Sequence, residues 1–356
     1  PRADLPSLPP CPVRSCATLA PGFIDCQVNG GGGVMLNGEP DPATVRRMAR
    51  GHRSAGTTAI LPTLISDTPA TQRAAVAAVA DVIAAGDPGI LGVHIEGPFF
   101  APPRRGTHKA DMIRPPDDSD IDWLLSLSGF PVILTLAPEQ LPDDLLARLA
   151  SAGILVCAGH TEASYEQTRR AIEGGLRGFT HLFNAMSPLT ARAPGVVGAA
   201  LEDDNTWAGI IADGHHVHPA TIKLAWRSKA RGKLFLVSDA MATVGSDDDS
   251  FELYGERIAV QGGKLVNAEG ALAGSAIGLI DAVRTAHEAA GLPLDECLRM
   301  ASLYPAEFLG VDGQLGRLRA GFRADLVHFD EAFAVLDTWS AGEHMQHYPR
   351  QQGTGT

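Results

Sequence analysis

The sequence predicts an α/β fold in which eight parallel strands and their helices close into a (β/α)8 barrel, with a small accessory β domain. Short, almost continuously apolar runs alternate with amphipathic segments, as expected for parallel strands that are covered on both faces. The 356-residue chain exceeds the roughly 250 residues of a typical barrel, which leaves room for the accessory element. An open, doubly wound sheet is the alternative architecture that the same alternation allows.

Eight apolar runs are predicted to form the barrel strands. In chain order they are Gly22–Gln27, Thr58–Pro62, Ile90–Glu96, Val132–Ala137, Ile154–His160, Gly178–Leu182, Ala208–Asp213 and Leu234–Asp239. The clearest helical segments between them are Pro42–Ala55, Pro69–Ala85, Asp143–Ser151, Ser164–Gly174 and Pro219–Ala230. Three of these helices begin at a proline, whose missing N–H would have no partner in the first turn of a helix in any case.

The rest of the chain is predicted to build the accessory β domain. The expected division is an N-terminal arm or part of the small β domain (1–20), the barrel (21–315) with a β-hairpin insertion around 246–270, the C-terminal strands of the small β domain (316–343) and a loose polar tail (344–356). The strands expected outside the barrel are Phe251–Val260 and Lys264–Val266 in the hairpin, followed by Leu318–Phe329 and Ala334–Thr338.

The composition argues against several classes of protein. A net charge of −12 disfavours nonspecific nucleic-acid binding, which requires basic patches on the surface. No apolar run approaches the ~18 residues of a membrane span, and the opening segment lacks the apolar core of a signal peptide. The five cysteines are odd in number and scattered, which indicates reduced thiols and a cytoplasmic protein.

Titratable and amide side chains stand where the predicted strands end. The carboxyl ends of all barrel strands meet at one rim, and barrel active sites form there. The rim candidates are Asp25, Gln27 and Asn29 after the first strand, His94 and Glu96 at the third, His160 at the fifth, His181 at the sixth, Asp213, His215, His216 and His218 after the seventh, and Asp239 at the eighth. A lone histidine at this place is better explained as a hydrogen-bonded residue of the barrel mouth, but the set indicates a metal site.

A metal site is the chemistry that this set supports best. Glu96, His160 and His181 supply one carboxylate and two imidazoles, and a catalytic zinc ion takes about three such protein ligands and one water. Asp239 stands opposite, where a carboxylate can accept the proton of the metal-activated water and return it to a leaving group. Arg192, in the segment TARAPG, is either a solvent-facing cation or a clamp for an anion.

Eight motifs now connect the chain with a known family. They are PGFID (21–25), HIEGPF (94–99), GTH (106–108), AGHT (158–161), THLFNAM (180–186), ADGHHV (212–217), SDAM (238–241) and LAGSA (272–276). In this order they resemble the N-acetylglucosamine-6-phosphate deacetylases of the amidohydrolase superfamily, over about Pro21 to Glu343. The resemblance implies a TIM-like barrel of the metal-dependent hydrolase type.

The resemblance also implies roles for individual residues. Glu96, His160 and His181 correspond to the metal ligands, and Asp239 corresponds to the catalytic acid/base. His108 would act close to the amide carbonyl. The residues expected to contact the substrate are Thr107, His108, Asn184, Ala185, His216 on the phosphate side, and Leu272, Ala273 and Gly274 at the acetyl end. Arg192 is similar to the phosphate-binding arginine that the family supplies across a homodimer interface.

One departure from the wider superfamily predicts a single metal ion per subunit. Many members follow the first strand with His-x-His, which binds a second ion, whereas this chain has Gln27-Val28-Asn29. Amides are poor zinc ligands beside imidazole and thiolate, so one divalent ion is expected. Zinc is the expected ion, and iron, cobalt and manganese are alternatives.

The expected reaction is hydrolysis of the acetamido group of N-acetyl-D-glucosamine 6-phosphate to D-glucosamine 6-phosphate and acetate, in amino-sugar catabolism or cell-wall sugar recycling. The partners expected are therefore a small phosphorylated amino sugar and a second copy of the chain, without nucleic acid or membrane. The alternatives are a cyclic amidase or deacetylase of a non-phosphorylated substrate and a non-catalytic relative. A metal-free phosphate-isomerase barrel would not explain two strand-end histidines together with Glu96.

Overall fold

All eight apolar runs form strands of one parallel sheet in the computed structural model, which describes residues 17–142 and 144–347. The strands in chain order are β1 (Thr18–Pro21), β2 (Phe23–Val28), β3 (Gly30–Gly31), β4 (Val34–Met35), β5 (Thr57–Ile65), β6 (Val93–Glu96), β7 (Val132–Leu136), β8 (Leu155–Ala158), β9 (Gly178–Phe179), β10 (Trp207–Ile211), β11 (Leu234–Val237), β12 (Ser250–Leu253), β13 (Glu256–Gln261), β14 (Lys264–Val266), β15 (Leu326–Phe329), β16 (Val335–Ser340) and β17 (Glu343–Gln346). The barrel sheet has the order β11-β10-β9-β8-β7-β6-β5-β2.

The barrel is nearly closed by contacts between its first and last strands. The backbone N–H of Asp239 donates to the carbonyl of Gln27 at 3.0 Å, and the N–H of Asn29 donates to the carbonyl of Ala240 at 2.9 Å. Val28 and Ala240 form a parallel bridge at the same place. The predicted barrel is therefore confirmed. The contacts between the first and last strands also bring the segment Gln27-Val28-Asn29 beside Asp239 at the rim.

Helices cover the outside of the barrel. They are α1 (Pro42–Arg53), α2 (Pro69–Ala84), α3 (Asp118–Ser126), α4 (Leu145–Ser151), α5 (Tyr165–Glu173), α6 (Gly195–Glu202), α7 (Pro219–Ser228), α8 (Leu279–Arg284, continued by a π-helical turn), α9 (Leu294–Ala301) and α10 (Leu303–Leu309). The side chains of Asp41 and Thr68 accept from backbone N–H groups in the first turns of α1 and α2, which sets where these helices begin. No helix in the described ranges has the length and apolar character needed to cross a bilayer.

Residues from both ends of the described chain form a second, antiparallel sheet beside the barrel. Its order is β1-β15-β16-β17. The buried carboxylate of Asp325 joins this sheet to the barrel because it accepts a hydrogen bond from the hydroxyl of Thr58, at 3.1 Å, at the start of β5. It also accepts from the backbone N–H of Ala341 at 2.8 Å.

The insertion differs from the expected two-stranded hairpin, because β12, β13 and β14 form a three-stranded antiparallel sheet. The run Phe251–Val260 is broken by a two-residue turn, in which Tyr254 and Gly255 have φ values of +53° and +82°. Two adjacent residues with positive φ make the tight turn that suits the twist of a hairpin. The expected strand ran straight through Tyr254 and Gly255, although the glycine and the charged pair that follows it, Glu256 and Arg257, interrupt the apolar alternation there.

Smaller differences occur at the C-terminal end. The expected strand Leu318–Phe329 is shorter in the structure, since only β15 pairs, and residues 344–346 of the expected loose tail belong to β17. These residues pair with β16, and backbone pairing does not require an apolar sequence. The remainder of the expected tail, 348–356, and most of the N-terminal arm, 1–16, lie outside the described residues.

A neutral histidine packs α1 against the rim. His52 is fully buried, and its Nε2 lies 2.9 Å from the carbonyl oxygen of Gly30. The space is tight, because a Cβ atom on Gly31 would lie 2.7 Å from the His52 ring. Burial lowers the pKa of His52 to about 4, although the hydrogen bond to Gly30 opposes this shift.

This burial makes stability depend on pH. The unfolded chain takes up a proton on His52 near its ordinary pKa of 6.5, whereas the folded chain does so only near 4, so the folded state loses stability as the pH falls between these values. His52→Gln keeps an N–H donor for Gly30 but cannot titrate. Between pH 7 and pH 5 the free energy of unfolding should fall in both proteins. We expect the fall to be smaller in His52→Gln than in the wild type, by roughly 2 kcal/mol.

The measurement is urea unfolding at both pH values, with His215→Gln, at an exposed histidine, as the matched control. The control is expected to follow the wild type. Equal pH dependence in His52→Gln and the wild type would contradict this account of His52.

Candidate active site

Three side chains with metal-ligating atoms meet at the barrel rim. Glu96 ends β6, and His160 and His181 follow β8 and β9 by two residues. All three are buried, and their ligand atoms lie within 4.8 Å of one another. Nε2 of His160 and Nε2 of His181 lie 3.3 and 3.1 Å from Oε1 of Glu96 and 3.0 Å from each other. Two imidazoles and a carboxylate that converge in this way form a donor set for a divalent metal ion.

The backbone fixes which nitrogen of His160 faces this centre. Its Nδ1 lies 2.7 Å from the carbonyl oxygen of Arg104. A carbonyl oxygen can only accept, so Nδ1 carries the proton and Nε2 keeps its lone pair for a ligand. Phe100 stacks on the same ring, with 4.2 Å between centroids and 18° between planes. His160 is therefore held in a tautomer and orientation that suit metal binding.

Strained backbone marks the ends of these strands. His160, His181 and Asp239 have φ values of +51°, +33° and +53°, in the left-handed region that side chains other than glycine rarely adopt. Such conformations persist where the surrounding structure enforces them, and they concentrate at functional sites. Here the sharp turn after each strand directs the side chain over the mouth of the barrel.

Amide groups orient the second carboxylate of the rim. Oδ1 of Asp239 accepts from Nδ2 of Asn29 at 2.7 Å and from Nε2 of Gln27 at 3.2 Å. The same Gln27 nitrogen donates to Oε1 of Glu96 at 3.1 Å. The Gln-Val-Asn segment therefore presents N–H donors to both carboxylates, and an N–H group cannot ligate a metal ion.

The two carboxylates differ in their affinity for a proton. Burial alone would raise the pKa of Glu96, but the adjacent imidazoles of His160 and His181 outweigh burial and hold this pKa well below its ordinary value. For Asp239, burial and then the charge of Glu96 raise the pKa to about 6. Two carboxylates with separated pKa values can divide their work, one remaining an anion while the other exchanges a proton.

A cavity of about 180 Å³ opens over the cluster. Of the residues expected from the sequence to form the site, those that line it are Glu96, Thr107, His108, His160, His181, Asn184, Ala185, His216, Asp239, Leu272 and Gly274. His216 is held in place by Asp213, whose carboxylate lies 2.6 Å from Nδ1 of His216. The structure therefore brings most of the expected residues together around one space.

Two expected substrate contacts lie elsewhere. Ala273 is buried in an apolar cluster beneath the insertion, with its backbone N–H donating to the carbonyl of Leu265. Arg192 is exposed on the loop before α6 and does not line the cavity. No lysine or arginine of the described residues lines it.

Sequence reasoning missed residues that support the site. Ser66 is fully buried and contacts Nδ1 of His108 through both its N–H and its hydroxyl, at 3.1 and 2.8 Å. The sequence could have indicated Ser66 only by its position immediately after a barrel strand. This was missed because the expected strand ended at Pro62, whereas β5 continues to Ile65. Arg104 supplies only a backbone carbonyl, and no residue type signals such a role.

Comparisons with known proteins agree with this geometry. The family model described as amidohydrolase family matches residues 18–345. The N-acetylgalactosamine-6-phosphate deacetylase of Shewanella sp. (strain ANA-3) is 44% identical over 329 residues, which cover 92% of this chain and 82% of that protein. The N-acetylglucosamine-6-phosphate deacetylase of Haemophilus influenzae is 34% identical, over 90% of this chain and 84% of the relative.

A solved structure is similar over nearly the same length. The crystal structure of N-acetylglucosamine-6-phosphate deacetylase from Pasteurella multocida superimposes with a TM-score of 0.89 and 38% identity, covering 92% of this chain and 86% of that one. The similarity therefore includes the barrel and the second sheet together.

The three-residue cluster can be tested by metal content. We expect Glu96→Gln to reduce bound divalent metal at least about tenfold after zinc loading and dialysis, because a neutral amide replaces the anionic ligand. Elemental analysis by mass spectrometry provides the measurement. His218→Asn is the control, since His218 is exposed and asparagine can also cap α7. Unchanged metal content in Glu96→Gln would rule out Glu96 as a ligand.

Proposed function

Because the chain belongs to the amidohydrolase family, among its deacetylases of N-acetylated amino-sugar 6-phosphates, we propose that it hydrolyses N-acetyl-D-glucosamine 6-phosphate to D-glucosamine 6-phosphate and acetate. This makes it a hydrolase of an amide bond in amino-sugar catabolism. The observation that carries the proposal is the buried cluster of Glu96, His160 and His181, which shares one cavity with Asp239.

The cluster is proposed to hold one divalent ion per chain. When bound, such an ion lowers the pKa of a water molecule and polarises the amide carbonyl. Zinc is the proposed ion, with iron, cobalt and manganese as alternatives, because imidazole and carboxylate ligands suit all four. A single ion is proposed because Gln27 and Asn29 direct N–H groups, rather than lone pairs, at the neighbouring carboxylates.

Asp239 is proposed to move the proton. Its Oδ1 already accepts two amide hydrogen bonds, which leaves Oδ2 to take a proton from the attacking water. The same oxygen would then deliver that proton to the amine nitrogen as the C–N bond breaks and acetate leaves. A pKa of about 6 suits a group that must both accept and release a proton near neutral pH.

The phosphate is proposed to be bound by His216 and by an arginine from a second subunit. The described cavity lining contains no lysine or arginine, although a phosphate dianion requires a positive partner. Arg192 is exposed on a loop outside its own cavity. We therefore propose a homodimer in which Arg192 reaches the neighbouring site, so that the phosphate positions the amide over the metal centre.

A second candidate substrate is the C4 epimer, N-acetylgalactosamine 6-phosphate. The observation that favours it is the higher identity to the Shewanella relative, 44% compared with 34% for the Haemophilus deacetylase. Both substrates carry the same acetamido and phosphate groups, so the proposed roles of the metal ligands and Asp239 are unchanged. The preference between the two is decided by the ratio of their kcat/KM values.

The proposed setting is the cytoplasm. Cys26, Cys157 and Cys297 are buried and free of disulfides in the described part of the chain. Unpaired thiols are typical of a reducing compartment.

The reaction is tested by acetate release from both epimers and from their non-phosphorylated forms. We expect turnover with a 6-phosphate, and Asp239→Asn should lower kcat by at least about a thousandfold while metal content is retained, because the amide cannot carry the proton. Turnover confined to non-phosphorylated amides would favour another amidase. No turnover by the metal-loaded wild type would favour a non-catalytic relative, and an active Asp239→Asn variant would exclude Asp239 as the base.

The role of Arg192 is tested with Arg192→Ala. Loss of a charged hydrogen bond should reduce kcat/KM for the phosphorylated sugar by about ten- to a hundredfold and leave the plain sugar nearly unaffected. Arg227→Ala, at an exposed arginine of α7, is the control.

Mixed subunits distinguish a contribution across the interface from one within the chain. The two single variants, Arg192→Ala and Asp239→Asn, are mixed and refolded together. Part of the wild-type activity should return, because one site of each mixed dimer then has Asp239 from one subunit and Arg192 from the other. Failure to regain activity, with mixed dimers present, would place Arg192 in its own site or outside catalysis.

A further inference from the structure

Ser66 occupies an unusual position between the barrel and the insertion. It follows β5 directly and is fully buried. Its backbone N–H donates to Nδ1 of His108 at 3.1 Å, and its hydroxyl lies 2.8 Å from the same nitrogen. The His108 imidazole also lies edge-on to His160, with 4.6 Å between ring centroids, so the pair borders the proposed metal centre.

These contacts determine where His108 carries its proton. A backbone N–H can only donate, so the nitrogen that faces it must present a lone pair. Nδ1 of His108 is therefore unprotonated, and the neutral ring carries its single proton on Nε2. Since Nδ1 is turned toward Ser66 and His108 lines the cavity, the Nε2–H group is the one available to a substrate.

Two neighbours hold Ser66 in this position. Gly97 leaves the space for its hydroxyl, because a Cβ atom there would lie 2.4 Å from Oγ of Ser66. Tyr254, in the tight turn between β12 and β13, donates its hydroxyl to the carbonyl oxygen of Ser66 at 2.5 Å. The backbone of Ser66 is thus held at its carbonyl by the insertion, and its N–H contacts His108.

We propose that Ser66 is a positioning residue that locks His108 in the Nε2–H tautomer, and that Tyr254 supports this lock from the inserted sheet. His108 then presents a fixed hydrogen-bond donor to the substrate amide oxygen, where negative charge develops during hydrolysis. A donor that is already oriented stabilises that charge without reorganising during the reaction. The assignment to the amide oxygen rests on the proposed function, whereas the tautomer follows from the hydrogen bonds alone.

The tautomer is measured by nitrogen-15 NMR of the zinc-loaded protein without substrate, using the two-bond couplings of the His108 ring. We expect a protonated Nε2 and an unprotonated Nδ1. Because no substrate is present, this result is independent of the deacetylase proposal. A proton on Nδ1 would overturn the lock, even if the protein deacetylates amino-sugar phosphates.

The variants Ser66→Ala and Tyr254→Phe test the two supports. Each removes one hydroxyl, and Ser66→Ala retains the backbone N–H. We expect each to lower kcat by about two- to tenfold with little change in KM, and to add a detectable share of the Nδ1–H tautomer. A purely structural role would lower the amount of folded protein without changing the tautomer.

Matched controls use the same substitutions elsewhere. Ser340→Ala removes a buried hydroxyl that donates to the carbonyl of Thr58, and Tyr165→Phe removes a surface hydroxyl that bonds Glu202. Both are expected to retain the wild-type kcat and tautomer. Wild-type kcat and tautomer in Ser66→Ala and Tyr254→Phe would overturn the positioning role.

Discussion

The carboxylate of Glu96 is buried at the end of β6 with two imidazoles and an amide around it, and this concentration of polar groups constrains the whole rim. Removing an anion from water costs on the order of several kcal/mol, so it must be offset by partners at short range. Gln27 donates an N–H to this carboxylate, and His160 and His181, from two further strand ends, place beside it the ring nitrogens with which it would bind a cation. The parallel barrel makes this possible because its topology brings residues distant in sequence to one edge.

The hydrogen-bond donors around the rim are not interchangeable. Backbone groups fix the imidazoles of His160 and His108 in opposite tautomers, with Nδ1 protonated in the first and unprotonated in the second. His160 therefore presents a lone pair, suited to a cation, whereas His108 presents a donor, suited to an oxygen. The two neighbouring histidines therefore differ in chemistry because one faces the backbone carbonyl of Arg104 and the other faces the backbone N–H of Ser66. Neither backbone group depends on the identity of a side chain.

This distinction explains how much could be predicted from the sequence. The eight strands were predictable because burial on both faces requires apolar runs, and Glu96, His160 and His181 were predictable because polar side chains interrupt those runs at the rim. Ser66 and Arg104 act mainly through backbone atoms, whose positions depend on the tertiary structure. The turn at Tyr254 was missed because the apolar residues on both sides of it were assigned to one strand, although Gly255 and the charged residues after it interrupt the alternation. Arg192 was suggested by family resemblance, and a single chain does not bring it to the cavity.

The inserted sheet gains a further role from its packing. Its apolar residues Leu253, Ile258 and Leu265 form a cluster with Ile65 and Met241. Ile65 and Met241 also line the cavity, and Ser66 follows Ile65 directly. The insertion therefore supports both the wall of the cavity and the peptide that holds His108. A loop of the same length without an apolar core would lack this rigidity, so the three-stranded form matters for how firmly the rim is held.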